Sequence, residues 1–441
     1  MSLVLKQTTQ FTIRELKLIT KFGVFDISAI FEELNVYDSL LMPCMTGGIV
    51  IKDSVGLSKR LTFDGSEYIK INIVKGEDNA VTTINKTFRI YKQSDRTTLN
   101  QSSEIYVLSF ISEEFIYSEQ QKISQSYTGS YDTIVKSVLT KYLKVPTTRV
   151  GIVETTRGSQ SAVIPLLSPL KSIDWVLKRA LDKNNKSNFV FFENKIGFNF
   201  VSLPTLFSYG PALEINFQPK NINNEEISDE FLGVRDFNYS STFDLIENIR
   251  NGFYANKFIG FDILTRKITE TSIGISNSYG TSNLNKYPIA PGMKNREDKD
   301  VSEMYDSRVA LYPYQTTRTN ATYVKSNDNK SATILDETHT YIPQRKAIMN
   351  NLIQKRLTIA LPGNFALTSG LILKLNAPTY GLKDDDTQQQ DDSMKGNYLI
   401  IGTRHIIRPD KHETVCEVTT DSTNTKLIGG NTPDLQKARN S

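Results

Sequence analysis

Short runs in which every second residue is apolar occur in two blocks of this chain, separated by a stretch with helical periodicity. Alternation with a period of two marks a strand with one buried face. Several such runs punctuated by turn residues point to a sandwich or small barrel. In the first block, LTFDGSEYIKINIV (61–74) sets a Gly-containing turn before a strand bearing Tyr68, Ile69, Ile71 and Ile73. TFRIYKQ (87–93) and SSEIYVLSFIS (102–112) follow, and the polar link SDRTTLNQ between them predicts a hairpin with a long loop. The second block starts with ALEINFQP (212–219) and GVRDFNYSS (233–241). It resumes with LTSGLILKLNAP (367–378), GNYLIIGTRHII (396–407) and TVCEVTTDS (414–422). The matching strand density of the two blocks raises the idea of a duplicated barrel, although no sequence identity links them.

Between the blocks the period changes. SEEFIYSEQQK (112–122) opens with Ser and acidic residues, as helix starts do. DTIVKSVLTKYLKVP (132–146) carries Ile134, Val135, Val138, Leu139, Tyr142 and Leu143 on one helical face and stops at Pro146. SPLKSIDWVLKRALDK (168–183) has Ser168 at the N-cap and Pro169 at the first helical position. NFVFFENKIGFNFVSL (188–203) reads as a hairpin around Glu193–Gly197. Residues 113–205 are therefore expected to be an α+β insert with its own core. Further on, FDLIENIRNG (243–252) reads as a short helix and FYANKFIGFDILTRKITE as an extended stretch. Residues 275–335, rich in Ser, Asn, Asp, Gly and Thr, read as a long, partly ordered connection. YIPQRKAIMNNLIQKRLTIALPG (341–363) is a helix running into a strand, with Ile348, Met349, Leu352 and Ile353 as its stripe. The end from Asn424 is polar.

Composition narrows function mainly by what it lacks. Aromatics make up 10% of the 441 residues and are nearly all Phe and Tyr, which suit pleated, half-buried surfaces. Against 52 basic residues stand 48 acidic ones, with no clustered excess. Binding to a phosphate backbone draws on such an excess through counterion release, so nucleic-acid binding is not expected as the main task. DNA could still pass the protein without being held. Cys44 and Cys416 are too far apart for a disulfide framework or a zinc spacing. The N-terminus lacks a continuous apolar signal region, and no run approaches the ~18 apolar residues of a membrane helix. Assembly in the cytoplasm without membrane insertion is the expectation.

Catalytic groups are scarce. The three histidines are His339, His405 and His412. His405 sits inside the apolar strand LIIGTRHII and reads as a strand histidine, hydrogen-bonded or exposed; His339 and His412 lie in polar surroundings, and neither has a partner at metal-ligand spacing. The acidic loop KDDDTQQQDD (383–392) offers Asp384, Asp385 and Asp386 as weak cation candidates, with Asp391 and Asp392 behind them. It lacks the alternating ligands, central Gly and terminal Glu of a calcium loop and reads better as a solvated hairpin loop. Glu113/Glu114 and Glu225/Glu226 are adjacent carboxylates. A glycosidase pair among them stays open, because such pairs meet in space, yet helix starts and exposed turns explain them as well. TGG (46–48) and IGG (428–430) lack a phosphate-loop context, and Trp175 fits a core or interface. No catalytic residue, cofactor or firm metal ligand is expected.

Several segments, taken together and in order, resemble the central hub proteins of contractile-tailed phage baseplates. They are SEIYVLSFISEEFIYSEQQKISQSYTG (103–129), AVIPLLSPLKSIDWVLKRAL (162–181), FVFFENKIGFNFVSL (189–203), FDLIENIRNGFYANKFIGFDILTRK (243–267), IPQRKAIMNNLIQKRLTIALPGNFALTSGLILKLNAP (342–378) and GNYLIIGTRHII (396–407). The resemblance covers about 100 to 410, and Leu371 departs from it where the family usually has an acidic residue after the Gly. It implies a mainly β, α+β fold with two tail-tube-like barrels. One would be 1–112 and the other 206–240 with 341–422, around the insert 113–205, a peripheral region 241–340 and a polar tail 423–441. It implies a non-enzymatic homotrimer whose six barrels form a pseudo-sixfold ring in the virion. The implied partners are a sixfold tail tube protein, a threefold central spike protein and baseplate wedge proteins, around a channel that DNA traverses. Two other readings stay open. One is the spike base of a type VI-like or tailocin device; as the sequence stops soon after 422, its spike would be a separate chain. The other is a tail-associated cell-wall hydrolase.

Overall fold

A computed structural model describes residues 11–61, 63–76, 83–100, 103–216, 234, 236–241, 245–261, 266, 268–274, 283–288, 308–313, 322–325, 332–335, 338–352, 355–376 and 394–424. The first block forms β1 (Thr12–Thr20), β2 (Gly23–Asp26), β3 (Phe31–Ser39), β4 (Thr46–Asp53), β5 (Tyr68–Val74), β6 (Thr83–Asn100) and β7 (Ser103–Ile111). The insert contributes β8 (Ile123–Gly129), β9 (Val150–Val153), β10 (Ser159–Leu167), β11 (Phe189–Glu193) and β12 (Phe198–Ser202). Next come β13 (Leu213–Asn216), β14 (Asp236–Ser241), β15 (Ala255–Phe261), β16 (Ile268–Gly274), β17 (Tyr287–Pro288), β18 (Arg308–Pro313), β19 (Thr322–Lys325) and β20 (Ala332–Leu335). The last strands are β21 (Lys355–Pro362), β22 (Ile372–Asn376), β23 (Gly396–Arg408), β24 (Lys411–Thr420) and β25 (Ser422–Thr423). The fold is mainly β and of the α+β class, as the periodicity and the resemblance both imply.

Both sequence blocks lie in one sheet, ordered β14-β21-β24-β23-β3-β4-β7-β6-β5-β1-β2, with β22 pairing β23 and β13 pairing β22 off that path. The blocks join where β3 pairs antiparallel with β23, from Leu34 opposite Ile407 to Ser39 opposite Gly402. Alternate residues of β1, β3, β4, β5, β6 and β7 meet in a single buried cluster that includes Leu16, Leu34, Ile49, Ile71, Phe88 and Leu108, so this half of the sheet curls round its own core. The other half encloses a separate cluster with Leu357, Ile359, Leu373, Tyr398, Ile400 and Val418. Each such side chain taken from water contributes about 1.5–3 kcal/mol. A third cluster fills the insert, and a fourth packs Phe192, Val201 and Leu203 of the insert against Leu40, Leu352 and Ile401.

The polar link is strand rather than loop from Ser94 to Asn100: β6 runs for 18 residues and stays paired to β7 as far as Asn100 opposite Ser103. Ladder hydrogen bonds need no apolar alternation, and three register shifts absorb the irregularity. Beyond Ser94 this arm is exposed on both faces, which is why it carries no period. Leu99→Ser on the arm is expected to change the unfolding free energy by no more than about 0.5 kcal/mol. Leu108→Ala at the other end of the hairpin should cost about 2–5 kcal/mol. Denaturant titration of the two variants distinguishes them, and equal losses would contradict the division into core and arm.

In the insert, the helix Glu113–Glu119 begins as expected, while the stripe Ile134–Leu143 is split between an α-helix, Tyr131–Ser137, and a π turn, Val138–Tyr142. Ser168 holds the N-cap position of the helix Pro169–Leu177 without a side-chain cap bond, and Ala180 and Leu181 are buried just beyond the helix end. The stretch after Gly252 is a hairpin, β15 against β16, flanked by β18 in parallel. Part of the Ser/Asn-rich connection is also strand, since β19 pairs both β10 and β20. The helix near 341 starts earlier than its apolar stripe, at Thr338, with Pro343 inside it. Ile353 lies outside the described residues.

Candidate functional site

The hairpin β11–β12 brings chemistry to the joint between the first sheet half and the insert. Every residue of β11 is buried, so Glu193 at its end has no solvent face. Its carboxylate accepts from the backbone N–H of Met45 at 2.9 Å, from the Ser112 hydroxyl and from the Lys86 ammonium, and it pairs with the Arg149 guanidinium. Arg149 also donates to Glu114 at 2.8 Å, and Lys86 donates to Ser112 at 2.7 Å. Two carboxylates and two cations thus form a buried network with no net charge, drawn from the start of β4, β6, the helix start at Ser112–Glu114, the turn before β9 and the end of β11. Burial, then the charge of Glu193, holds Glu114 above the ordinary carboxylate range against the pull of Arg149. Burial pulls Lys86 below the ordinary lysine range despite Glu193 beside it. The Cys44 thiol next to this network is pushed well up by burial and by Glu193.

A second polar joint lies where β3 meets β23. The segment 363–370 crosses it, held by all three parts of the fold. Asp38 of β3, which is buried, accepts from Thr368 Oγ1 at 2.7 Å and from the Ser369 N–H at 2.8 Å. On the side of β24, the Asn364 N–H donates to Thr414 Oγ1 at 2.9 Å and the Gly363 N–H to the His412 carbonyl at 2.9 Å. From the insert hairpin, Lys195 donates to the Phe365 carbonyl and Asn194 to the Ser369 carbonyl. The Phe365 ring stacks on His412 with centroids 4.1 Å apart. Burial lowers Lys195 to about 8, opposed by the charge of Asp38.

His405 agrees with the reading of a hydrogen-bonded strand histidine: it is buried, with Nδ1 3.2 Å from Thr414 Oγ1. His412 does not lie in polar surroundings; its ring is buried against Phe365, because β24 turns it inward while Lys411 and Glu413 face out. Both cysteines are buried and free. Glu113 and Glu114 do not face each other: Glu113 accepts from Tyr68 Oη at 2.6 Å, while Glu114 turns to Arg149. Glu114 instead meets Glu193, and both pair with Arg149. Trp175 packs against the insert core with the Arg179 guanidinium 3.9 Å above its ring. Asp384, Asp385, Asp386, Asp391, Asp392, Glu225 and Glu226 lie outside the described residues. Among the described residues no three His, Cys, Asp or Glu side chains converge as metal ligands, and no helix is long and apolar enough to cross a membrane. A small polar cup lies between Asp53, Ser58, Lys59, Asn100 and Glu104. Sequence reasoning passed over Glu193, Lys86, Arg149, Asp38 and Lys195. The one signal was Glu193, a charge closing the apolar run FVFF.

Surfaces that could meet other proteins are of two kinds. Among the described residues the sheet path ends in β2 and β14, strands that pair on one side only along it. Apolar side chains stand out on the three-stranded sheet of β15, β16 and β18, where Phe261, Ile268, Val309 and Leu311 are exposed on one face. Others are Tyr91 and Leu99 on the arm and Leu41 and Met42 after β3.

No protein-family model matches the chain, and no curated protein matches it in sequence. Solved structures do match. A tail protein from Neisseria meningitidis MC58 superimposes with a TM-score of 0.54 at 10% identity, over 92% of this chain and 96% of that one. The 43 kDa tail protein of prophage MuSo2 from Shewanella oneidensis gives 0.52 at 9% identity, over 92% and 98%. The E. coli c3393 protein, a component of the type VI secretion system, gives 0.41 at 9% identity, over 95% and 80%. The chain shares its fold with these two tail proteins.

Proposed function

We propose that this chain is a structural hub subunit of a phage tail baseplate, in which three copies form a pseudo-sixfold ring between a sixfold tail tube and a threefold spike. The observation that carries the reading is the shared fold over nearly the whole length of two tail proteins, one of them from a prophage. The division of the main sheet supports it: each half has its own core, and if the halves act as two modules per chain, three chains supply six. A closed ring would cover the strand edges β2 and β14. The buried charged joint then serves as a rigid brace between the first module and the insert. No catalytic step is assigned to this chain; its partners are the tube, the spike and the wedge proteins of the same virion, and DNA passes without being held.

Light scattering on the purified chain, alone and co-expressed with the tube and spike proteins of its gene cluster, tests this. The expected species is about 150 kDa, three times the 49.8 kDa chain, and it should co-purify with one or both partners. A chain that stays monomeric at high concentration and binds neither protein would overturn the proposal.

A further inference from the structure

His405 and His412 face each other across β23 and β24 beneath the segment 363–370. His412 Nε2 is 3.4 Å from His405 Nδ1, and the Phe365 ring covers both, 4.1 Å from one and 5.3 Å from the other. His412 Nδ1 is buried with no hydrogen-bond partner among the described residues. We propose that this histidine pair is a proton-sensitive latch, which holds the segment 363–370 across the joint of the two sheet halves and the insert while both rings are neutral and releases it when they are protonated.

The chemistry around the rings favours the neutral state. A single proton shared between Nε2 and Nδ1 satisfies both facing nitrogens. Protonating His412 would bury an N–H at Nδ1 without an acceptor, and protonating both rings sets N–H against N–H. The charges that bear on the pair from neighbouring elements are Lys195 on the insert hairpin and Lys75 after β5, both positive. Asp38 on β3 is the buried carboxylate of this joint, and its oxygens are taken up by Thr368 and Ser369. Cys416 on β24 stays a neutral thiol, raised by burial, and Lys411 and Glu413 pair with each other on the opposite face of β24.

Burial lowers His405 to about 3 and His412 well below its ordinary value. A base lowered in the folded state contributes its stability fully above the unfolded pKa of about 6.5 and loses it as pH falls toward the folded value. Each histidine therefore favours opening by up to about tenfold per pH unit below 6.5, and the pair by up to about a hundredfold. Asp38, held above the ordinary carboxylate range by burial, works in the opposite sense, so histidine variants isolate the latch.

Hydrogen exchange of the whole chain between pH 7.5 and 4.5, corrected for intrinsic rates, reads the opening. Exchange in residues 363–370 and in β23–β24 should rise steeply below pH 6 relative to the helix Tyr131–Ser137. In H405Q/H412Q that extra pH dependence should fall to less than about tenfold over the range. An unchanged slope in the variant, or the same slope in the reference helix, would overturn the proposal. Should the variant not fold, the ring resonances of the unaltered protein decide. Two rings that stay neutral above pH 5 in the closed state support the latch, and either ring titrating near 6.5 while the segment stays protected refutes it. The result concerns the single folded chain and does not depend on ring assembly.

Discussion

Glu193→Ala is expected to destabilise the chain by about 3–5 kcal/mol, measured by denaturant unfolding. The loss does not come from a missing attraction alone. With the carboxylate gone, the Lys86 ammonium, only 10% exposed, keeps its charge without its partner. The Met45 N–H and the Ser112 hydroxyl lose an acceptor as well. Arg149 is about one-third exposed and keeps Glu114, so it can turn toward water and suffers less. This difference yields a second expectation: combining Glu193→Leu with Lys86→Met should recover more than half of the loss, because an apolar pair of similar volume removes the stranded charge. A single change costing less than about 1 kcal/mol, or a pair no better than the single, would show that water reaches the joint and that the network is not a brace.

Gly47→Ala is expected to cost about 3 kcal/mol, at the upper end of overpacking effects. Gly47 lies in β4 directly opposite Phe110 of β7, and a Cβ placed there would fall 2.3 Å from the Phe110 ring and 2.4 Å from the Asn35 carbonyl of β3. The ring leans over the bare glycine and packs on Phe88, with centroids 4.9 Å apart, so it cannot retreat without opening the core. In the background of Phe110→Leu the same Gly47→Ala change should cost at least 1 kcal/mol less, a coupling that a double-mutant cycle reads directly. Additive losses would place the strain in the backbone of β3 instead. Within the TGG run at 46–48, which carries no phosphate-loop context, this close approach accounts for Gly47; a Cβ at Gly48 would meet nothing nearer than 3.8 Å.

Much of the architecture was legible in local sequence. Ile69, Ile71 and Ile73 alternate and are all buried on one face of β5; FVFF and FNFV form the hairpin that their aromatic content implied. The missed elements share a cause. The arm of β6 is exposed on both faces and so has no period to read, and β19, paired to β20 beside it, joins the insert's sheet through β10, more than 150 residues earlier. His412 looked polar from its neighbours Lys411 and Glu413, yet alternation along β24 sends them outward and the ring inward.

The candidate joint was hardest to foresee. Glu193, Lys86, Arg149, Ser112 and Glu114 are ordinary residues in their local contexts, and the spacing between them follows no motif. The sequence by itself determined the class of fold, through the period of its apolar residues, and the scarcity of catalytic groups, through composition. Tertiary structure alone decided that the two strand blocks share one sheet at β3–β23, that the insert's hairpin drives a carboxylate into the first half of the fold, and that two histidines meet beneath Phe365. The physical reason is range. Hydrophobic periodicity acts over a few residues and can be read locally, whereas a buried charge is tolerable only where partners from distant segments converge on it, and that convergence exists only once the chain has folded.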